Sequence, residues 1–365
     1  MREHLLARGE RPRYLGTCRG LSPEQVRERE SEGRKPSVRF KVPEGTTVVH
    51  DIIHGKKVFA NGILEDFVIM RSDGRPAYNF AAVVDDALME VTHVIRGEDH
   101  LPNTPRQILL YEALGFSLPR FAHHPFLVAP DGERLSKRYG ATSVRAYRHE
   151  GFLPQAVANY LALLGGGISG GDEIMSWKEM IGRFSLEGIA RSPAAFDVGK
   201  LRWLNRGHLR AMSGEEILPL VRPFLQDFSI AQVDDRWLAQ VMDAVKENIE
   251  TLAEIRGYLP IFLPEELSVD DEARAVLAED GALTVVKAMK EIVKDLEGAH
   301  ENDFPRIVAE LKKRTGLKGK DLFPPIRAAL TGRVEGPELK KVLPLLGKPI
   351  ILERLAQALK KSKGT

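Results

Sequence analysis

The sequence predicts an α/β region followed by an all-α C-terminal region. Three observations carry this. Residues 92–115, THVIRGEDHLPNTPRQILLYEALG, read as an apolar strand, a polar segment with Arg96, Glu98, Asp99 and His100, and a helix. That is half of a βαβ unit, and ligands of such sheets sit beyond the carboxyl ends of the strands. Upstream, 38–42 alternates Val38, Phe40 and Val42, the period of a half-buried strand. From residue 213 onward the apolar spacing is helical. Pro264, Pro324, Pro325, Gly316, Gly332 and Gly347 cut that stretch into short helices.

Taken in order, 1–65 reads as small α+β material. Ser22, Pro23 and Gln25 cap a charged helix ending near Gly33, and 46–62 forms a hairpin turning at Gly55. Residues 66–150 form the α/β core. A strand and turn at 66–74 precede an element that begins at Tyr78. Thr104, Pro105 and Gln107 fit an N-cap, a first-turn proline and the reciprocal capping-box residue, and Gly115 fits a C-cap. In 151–212, Pro154 opens an apolar helix closed by glycines, and Asp197 caps a helix carrying Trp203, which is expected to be packed. The helical stretch 213–365 is expected to be two bundles joined near 265.

Apolar content of 43%, charged content of 28% and a net charge of +2 are globular values, so an RNA-binding surface has to be a local patch. The single cysteine, Cys18, excludes an internal disulfide and a cysteine-rich zinc site within this chain. No apolar run reaches membrane-spanning length, and the charged N-terminus lacks a signal peptide's apolar core. A cytoplasmic place is expected. His123 and His124 suggest a metal at first sight. Adjacent residues of a strand point to opposite faces, so a structural role is expected and no metal ligand set is assigned.

The segment 130–140, PDGERLSKRYG, is a turn leading to Arg134, Lys137 and Arg138 around Ser136. Three cations on one short loop suit a polyphosphate whose charge shifts during reaction. RLSKR resembles the lysine-serine-lysine loop of class I aminoacyl-tRNA synthetases, and it follows VIRGEDH by about thirty residues. YNFAAVVDDALMEVTHVIRGEDHLPNTPRQILLYEALGF, at 78–116, is similar to the second Rossmann half of the bacterial-type glutamyl-tRNA synthetases. The resemblance runs over essentially the whole chain.

It implies that 1–65 is the remainder of an inserted acceptor-end-binding domain, where Arg11, Arg13, Arg19, Arg39 and Lys41 meet the tRNA stem or are solvated surface. It makes 66–150 the second half of the catalytic Rossmann domain, 151–212 a stem-contact domain and 213–365 a helical anticodon-binding domain. Tyr78 and Arg96 are implied to bind substrate glutamate. The residues alone leave Tyr78 as core filler and Arg96 in a structural ion pair with Glu98 or Asp99. A guanidinium fork suits a planar carboxylate and disfavours the neutral amide of glutamine. His100 and Leu127 are implied to flank adenine. Lys137 and Arg138 are implied to bind ATP phosphates, with Lys137, Arg134 and Ser136 in the catalytic loop. Mg²⁺ is expected with the ATP, with no dedicated protein cage. Lys200, Arg202 and Arg206 are implied phosphate contacts, and Asn248 aligns where relatives read the anticodon. The basic run with Lys312, Lys313 and Arg314 is either an anticodon-loop contact or a solvated helix end.

The His-Ile-Gly-His-type signature of the class and the family's first strand have no counterpart here, so an N-terminally truncated synthetase is expected. Such a chain would bind tRNA, activate glutamate poorly and expose an apolar sheet edge. The competing functions are glutamate–tRNA ligase, acting as a monomer on tRNA(Glu) with tRNA(Gln) left open, and a non-catalytic tRNA-binding module. A glutamine-charging relative and a shortened tRNA-modifying paralogue are disfavoured by the helical C-terminal half.

Overall fold

The computed structural model describes residues 9, 14–133, 135, 143–168, 170–228, 230, 233–264, 267–298, 300 and 303–361. The chain divides into two compact units, one of residues 1–135, 162–171 and 178–196, the other of 136–161, 172–177 and 197–365. This segmentation differs from the one expected from sequence: the stretch 151–212 is shared between the units.

In the first unit, helix α1 (Pro23–Ser31) carries the expected capping box between Ser22 and Gln25, with proline at its start. Strand β1 (Val38–Arg39) pairs antiparallel with β4 (Val68–Met70). Strands β2 (Thr46–Asp51) and β3 (Gly55–Ala60) form the hairpin, with Gly55 in the left-handed region at φ +73°. Helix α2 (Tyr78–Leu88) leads to β5 (His93–Gly97), a 3-10 turn over Glu98–Asn103, helix α3 (Thr104–Leu114) and β6 (Arg120–His124). Gly115 closes α3 in the left-handed conformation, as expected. Further on, β7 (Leu127–Val128) pairs in parallel with β8 (Ala194–Ala195).

The main sheet has the order β3-β2-β6-β5, with β6 parallel to both of its neighbours. Strand β2 therefore joins the sheet of the α/β core, and no boundary falls at residue 65. Alternation marks 46–51 as a half-buried strand but carries no information on which sheet it enters. Here Val49 packs with Val83, Ile108, Leu110, Tyr111 and Phe121 in one core. Strand β6 is central, so Phe121, Ala122 and His123 are consecutively buried, as both faces are covered. Among the described residues β5 pairs only with β6, and its Ile95 is 52% exposed.

The second unit is helical. Helices α4 (Val144–His149), α7 (Val198–Ala211), α8 (Gly214–Val221), α9 (Asp235–Val245) and α10 (Ile255–Tyr258) precede residue 265. Two further helices, α5 (Pro154–Leu164) and α6 (Trp177–Arg183), are divided: α5 crosses between the units, and α6 belongs to the first from Lys178 onward. Asp197 caps α7 through the N–H groups of Gly199 and Lys200. After 265 come α11 (Asp271–Ala278), α12 (Ala282–Lys294), α13 (Asp303–Thr315), α14 (Phe323–Thr331) and α15 (Leu339–Lys361). Pro324 and Pro325 open α14, Gly332 ends it, and Gly347 breaks α15 with non-helical dihedrals. One apolar core joins Leu153, Leu209, Leu238 and Ile255 to Val285, Ile326 and Leu355. The expected division into two bundles near 265 is therefore not a break in the core. Proline and glycine mark helix ends, but not which helices share a core.

Candidate functional site

The described part of the site is a row of polar side chains across three adjacent parallel strands. Arg96 on β5 is the register partner of His123 on β6, and Asp51 on β2 is the register partner of Phe121. Asp51, Arg96 and His123 lie at or near the carboxyl ends of their strands, the position where parallel sheets bind ligands.

Arg96 is tied at two of its nitrogens. Its Nε donates to His123 Nε2 at 3.1 Å, and its Nη2 donates to Thr104 Oγ1 at 2.9 Å and Gln107 Oε1 at 2.8 Å. Gln107 Nε2 donates in turn to Asn79 Oδ1 at 3.2 Å. Nη1 makes no hydrogen bond or ion pair among the described residues. Neither Glu98 nor Asp99 pairs with Arg96; Glu98 instead lies 3.8 Å from His54. The alternative of a local ion pair is thus absent, and the guanidinium is held by neutral groups with one end uncommitted.

The expected capping box on α3 does not form. Asn103 takes the cap position without a side-chain hydrogen bond, and Thr104 and Gln107 serve Arg96 instead. The physical reason is the 3-10 turn before the helix. It satisfies the Thr104 N–H through the Leu101 carbonyl, Pro105 has no N–H to cap, and the side chains of Thr104 and Gln107 are drawn to Arg96.

Behind Arg96, His123 Nδ1 lies 2.6 Å from Asp51 Oδ2, and both side chains are fully buried. Asp51 Oδ1 accepts from the backbone N–H groups of Ile53 and His54, both at 2.9 Å. Burial raises the Asp51 pKa, but the bonds from His123, His54 and Ile53 outweigh it and hold the carboxyl below its ordinary value. His124 points the other way and is exposed, as strand alternation requires. Burial pushes the carboxyl of Asp86 up, with Asp85 adding and Arg96 opposing. The Tyr111 hydroxyl is buried without a hydrogen-bond partner among the described residues and pushed up to about 12, first by burial and then by Asp86.

Tyr78 is 53% exposed at the start of α2, so it is not core filler. Its ring centroid lies 5.8 Å from that of His100, which is half-buried and 3.3 Å from Asn103 Nδ2. Leu127, half-buried, sits in β7. Arg134, Ser136, Lys137 and Arg138 lie outside the described residues. Among the described residues no group of three or more His, Cys, Asp or Glu side chains is placed to hold a metal ion.

In the helical unit the candidate phosphate-binding cations are paired. Lys200 Nζ is 2.6 Å from Glu173 and 4.2 Å above the ring of Trp203. Trp203 is 40% exposed, which corrects the expectation that it is packed. Arg202 reaches Glu250 at 3.4 Å and Glu254 at 3.0 Å, and Arg206 reaches Glu250 at 3.5 Å. Such half-exposed pairs are worth about 0–1 kcal/mol, so a phosphate can compete for the cations. Asn248 lies in the turn after α9, its carbonyl accepting from Tyr258 Oη at 3.3 Å. Lys312, Lys313 and Arg314 are exposed in the last turn of α13, with Arg314 2.8 Å from Glu310.

Sequence reasoning missed Asp51 and Asn79, assigned Thr104 and Gln107 to a cap, and gave His123 only a structural role. The available signal was the phase of Asp51, which falls on the buried face of its strand with Thr47 and Val49, since a buried carboxylate needs a dedicated partner.

Comparison with known proteins fits this arrangement. Residues 1–203 match the catalytic domain of class I tRNA synthetases (E and Q), and residues 216–359 match an anticodon binding domain. A glutamate–tRNA ligase of Carboxydothermus hydrogenoformans is 44% identical over 352 residues, 95% of this chain and 73% of the relative. Glutamate–tRNA ligase 2 of Syntrophus aciditrophicus is 43% identical, over 98% of this chain and 74% of the relative. The crystal structure of a glutamate tRNA ligase from Elizabethkingia meningosepticum, in complex with its amino acid, superposes with a TM-score of 0.85. It shares 30% identity and covers 98% of this chain and 76% of that one. Catalytic match, anticodon match and these relatives agree, and the chain belongs to the glutamate–tRNA ligase family of class I tRNA synthetases.

Proposed function

We propose that this chain carries the glutamate-recognising and tRNA-binding parts of an enzyme that joins L-glutamate to tRNA(Glu) at the expense of ATP. In the first step an oxygen of glutamate's α-carboxylate attacks the α-phosphorus of ATP. The adenylate forms and pyrophosphate leaves. In the second step a hydroxyl of the terminal ribose of tRNA attacks the acyl carbon, and AMP leaves. No covalent enzyme nucleophile is needed, because the work is positioning and charge stabilisation.

The observation that carries this reading is Arg96, a half-buried cation near the carboxyl end of its strand, with no carboxylate partner and an uncommitted Nη1 among the described residues. It suits the side-chain carboxylate of glutamate, with the exposed ring of Tyr78 as a second contact. His100 and Leu127 are assigned to adenine. Lys137, Arg138, Arg134 and Ser136 are assigned to the phosphates and to the charge that develops at the α-phosphorus. Mg²⁺ would enter with the ATP phosphates. Lys200, Arg202, Arg206, Asn248, Lys312, Lys313 and Arg314 are assigned to tRNA, acting on its backbone except for Asn248. A monomer in the cytoplasm fits this chemistry, and tRNA(Gln) is a second substrate only if Asn248 fails to discriminate. No helix among the described residues is long and apolar enough to cross a membrane.

The test is glutamate-dependent ATP–pyrophosphate exchange, measured in a version extended in frame upstream beside this chain. Arg96→Gln should raise the glutamate KM by at least tenfold and narrow the preference for glutamate over glutamine. Lys137→Ala should lower exchange by orders of magnitude and leave tRNA affinity unchanged. An Arg96→Gln variant with unchanged glutamate KM and unchanged preference overturns the assignment.

A further inference from the structure

We propose that Asp51 and His123 form a positioning pair that fixes the direction of the Arg96 guanidinium and so sets the preference for glutamate over glutamine. The proposal rests on the reading of Arg96 as partner of the glutamate side-chain carboxylate.

Donor and acceptor roles carry it. The Nε of an arginine can only donate. Arg96 Nε lies 3.1 Å from His123 Nε2, so that nitrogen carries a lone pair and the ring proton sits on Nδ1. Nδ1–H then donates to Asp51 Oδ2 at 2.6 Å. Asp51 has no freedom to turn, because its other oxygen is held by the Ile53 and His54 amides. The whole relay lies across three adjacent parallel strands, and its inner two members are fully buried. Thr104 Oγ1, 3.1 Å from His123 Nε2 and 2.9 Å from Arg96 Nη2, closes the ring of contacts. A neutral histidine locked in one tautomer therefore holds the Nε edge of the guanidinium, Thr104 and Gln107 hold Nη2, and Nη1 is left uncommitted among the described residues.

Asp51→Asn tests this with nearly unchanged shape. The amide has one oxygen for three donors. If the oxygen keeps the two backbone amides, its NH₂ faces His123 and drives the ring proton to Nε2, against the Arg96 Nε–H. Expected in exchange assays is a tenfold or greater rise in glutamate KM and an equal narrowing of the glutamate-to-glutamine ratio, with ATP KM within twofold. A purely structural role would move the ATP and glutamate parameters together and leave the ratio alone; that result overturns the proposal. So does an unchanged ratio in Asp51→Asn when Arg96→Gln collapses it. If Arg96→Gln changes neither, the underlying assignment of Arg96 has failed instead. Should Asp51→Asn not fold, nitrogen-15 NMR of the wild-type imidazoles decides. A neutral Nδ1–H tautomer for His123 is expected, and an Nε2–H or doubly protonated ring overturns the proposal.

Discussion

Arg354 offers the sharpest test of how the helical unit holds together. It is 4% exposed, and its guanidinium donates to the carbonyls of Ile261 at 2.6 Å, Leu330 at 2.7 Å and Leu263 at 2.9 Å. Two of these lie before residue 265 and one ends α14, so a single side chain ties the two halves together. Replacing it with methionine keeps the stem's apolar volume and orphans all three carbonyls. At about 2 kcal/mol for each buried unsatisfied carbonyl, the loss is about 6 kcal/mol. Against this stands the cost of burying the charge. Burial pushes the arginine pKa down to about 10, a penalty of roughly 3 kcal/mol that the variant no longer carries. The net destabilisation is about 3 kcal/mol. Urea unfolding followed by tryptophan fluorescence measures it. Trp237 reports from this core, packed edge-on to Phe262 and donating to the Leu345 carbonyl. With a slope of about 3 kcal/mol per molar urea, the midpoint should fall by about 1 M while the transition stays single. A loss below about 1 kcal/mol would refute the reasoning on unsatisfied carbonyls. Two separate transitions in the wild-type protein would refute the single core.

Three further outcomes follow from the same structure. Burial holds the imidazole of His208 below its ordinary 6.5, with Nε2 3.0 Å from Asn159 Oδ1. The unfolded chain then takes up the extra proton first, so stability present above pH 6.5 falls as the pH drops below it; melting points at pH 7.5 and 5.5 should show this fall, smaller in His208→Gln. Tyr111→Phe removes a buried hydroxyl that has no partner among the described residues; it should leave stability unchanged or raise it by about 1 kcal/mol in thermal unfolding, and a loss of about 1 kcal/mol or more would refute this. Replacing Lys312 and Lys313 with glutamate should weaken tRNA binding and lower the salt dependence of its logarithmic affinity by about 1–2 in titrations at several salt concentrations.

The helix ends were the most legible features of the sequence. The box at Ser22, the cap at Asp197 and the stops at Gly115, Gly332 and Gly347 all depend on contacts within a few residues. What escaped was non-local. That β2 joins β6, or that one core runs past residue 265, depends on partners far along the chain, which hydrophobic period does not name. The site was half legible for the same reason. Arg96 announced itself by its place after an apolar strand, and its family resemblance supplied a role. Its supports did not. Thr104 and Gln107 fit a capping box, and only the sheet register brings His123 and Asp51 behind the guanidinium. A local motif was the cheaper reading, and a long-range cation displaced it.

Charging of total tRNA with labelled glutamate, by this chain beside a version extended in frame upstream, decides whether Arg96 serves a ligase. Charging by glutamate and not by glutamine is expected of the extended version, lost in Arg96→Gln while tRNA is still bound. Tight tRNA binding with no charging by either version would contradict it and leave a tRNA-binding module whose Arg96 has no substrate.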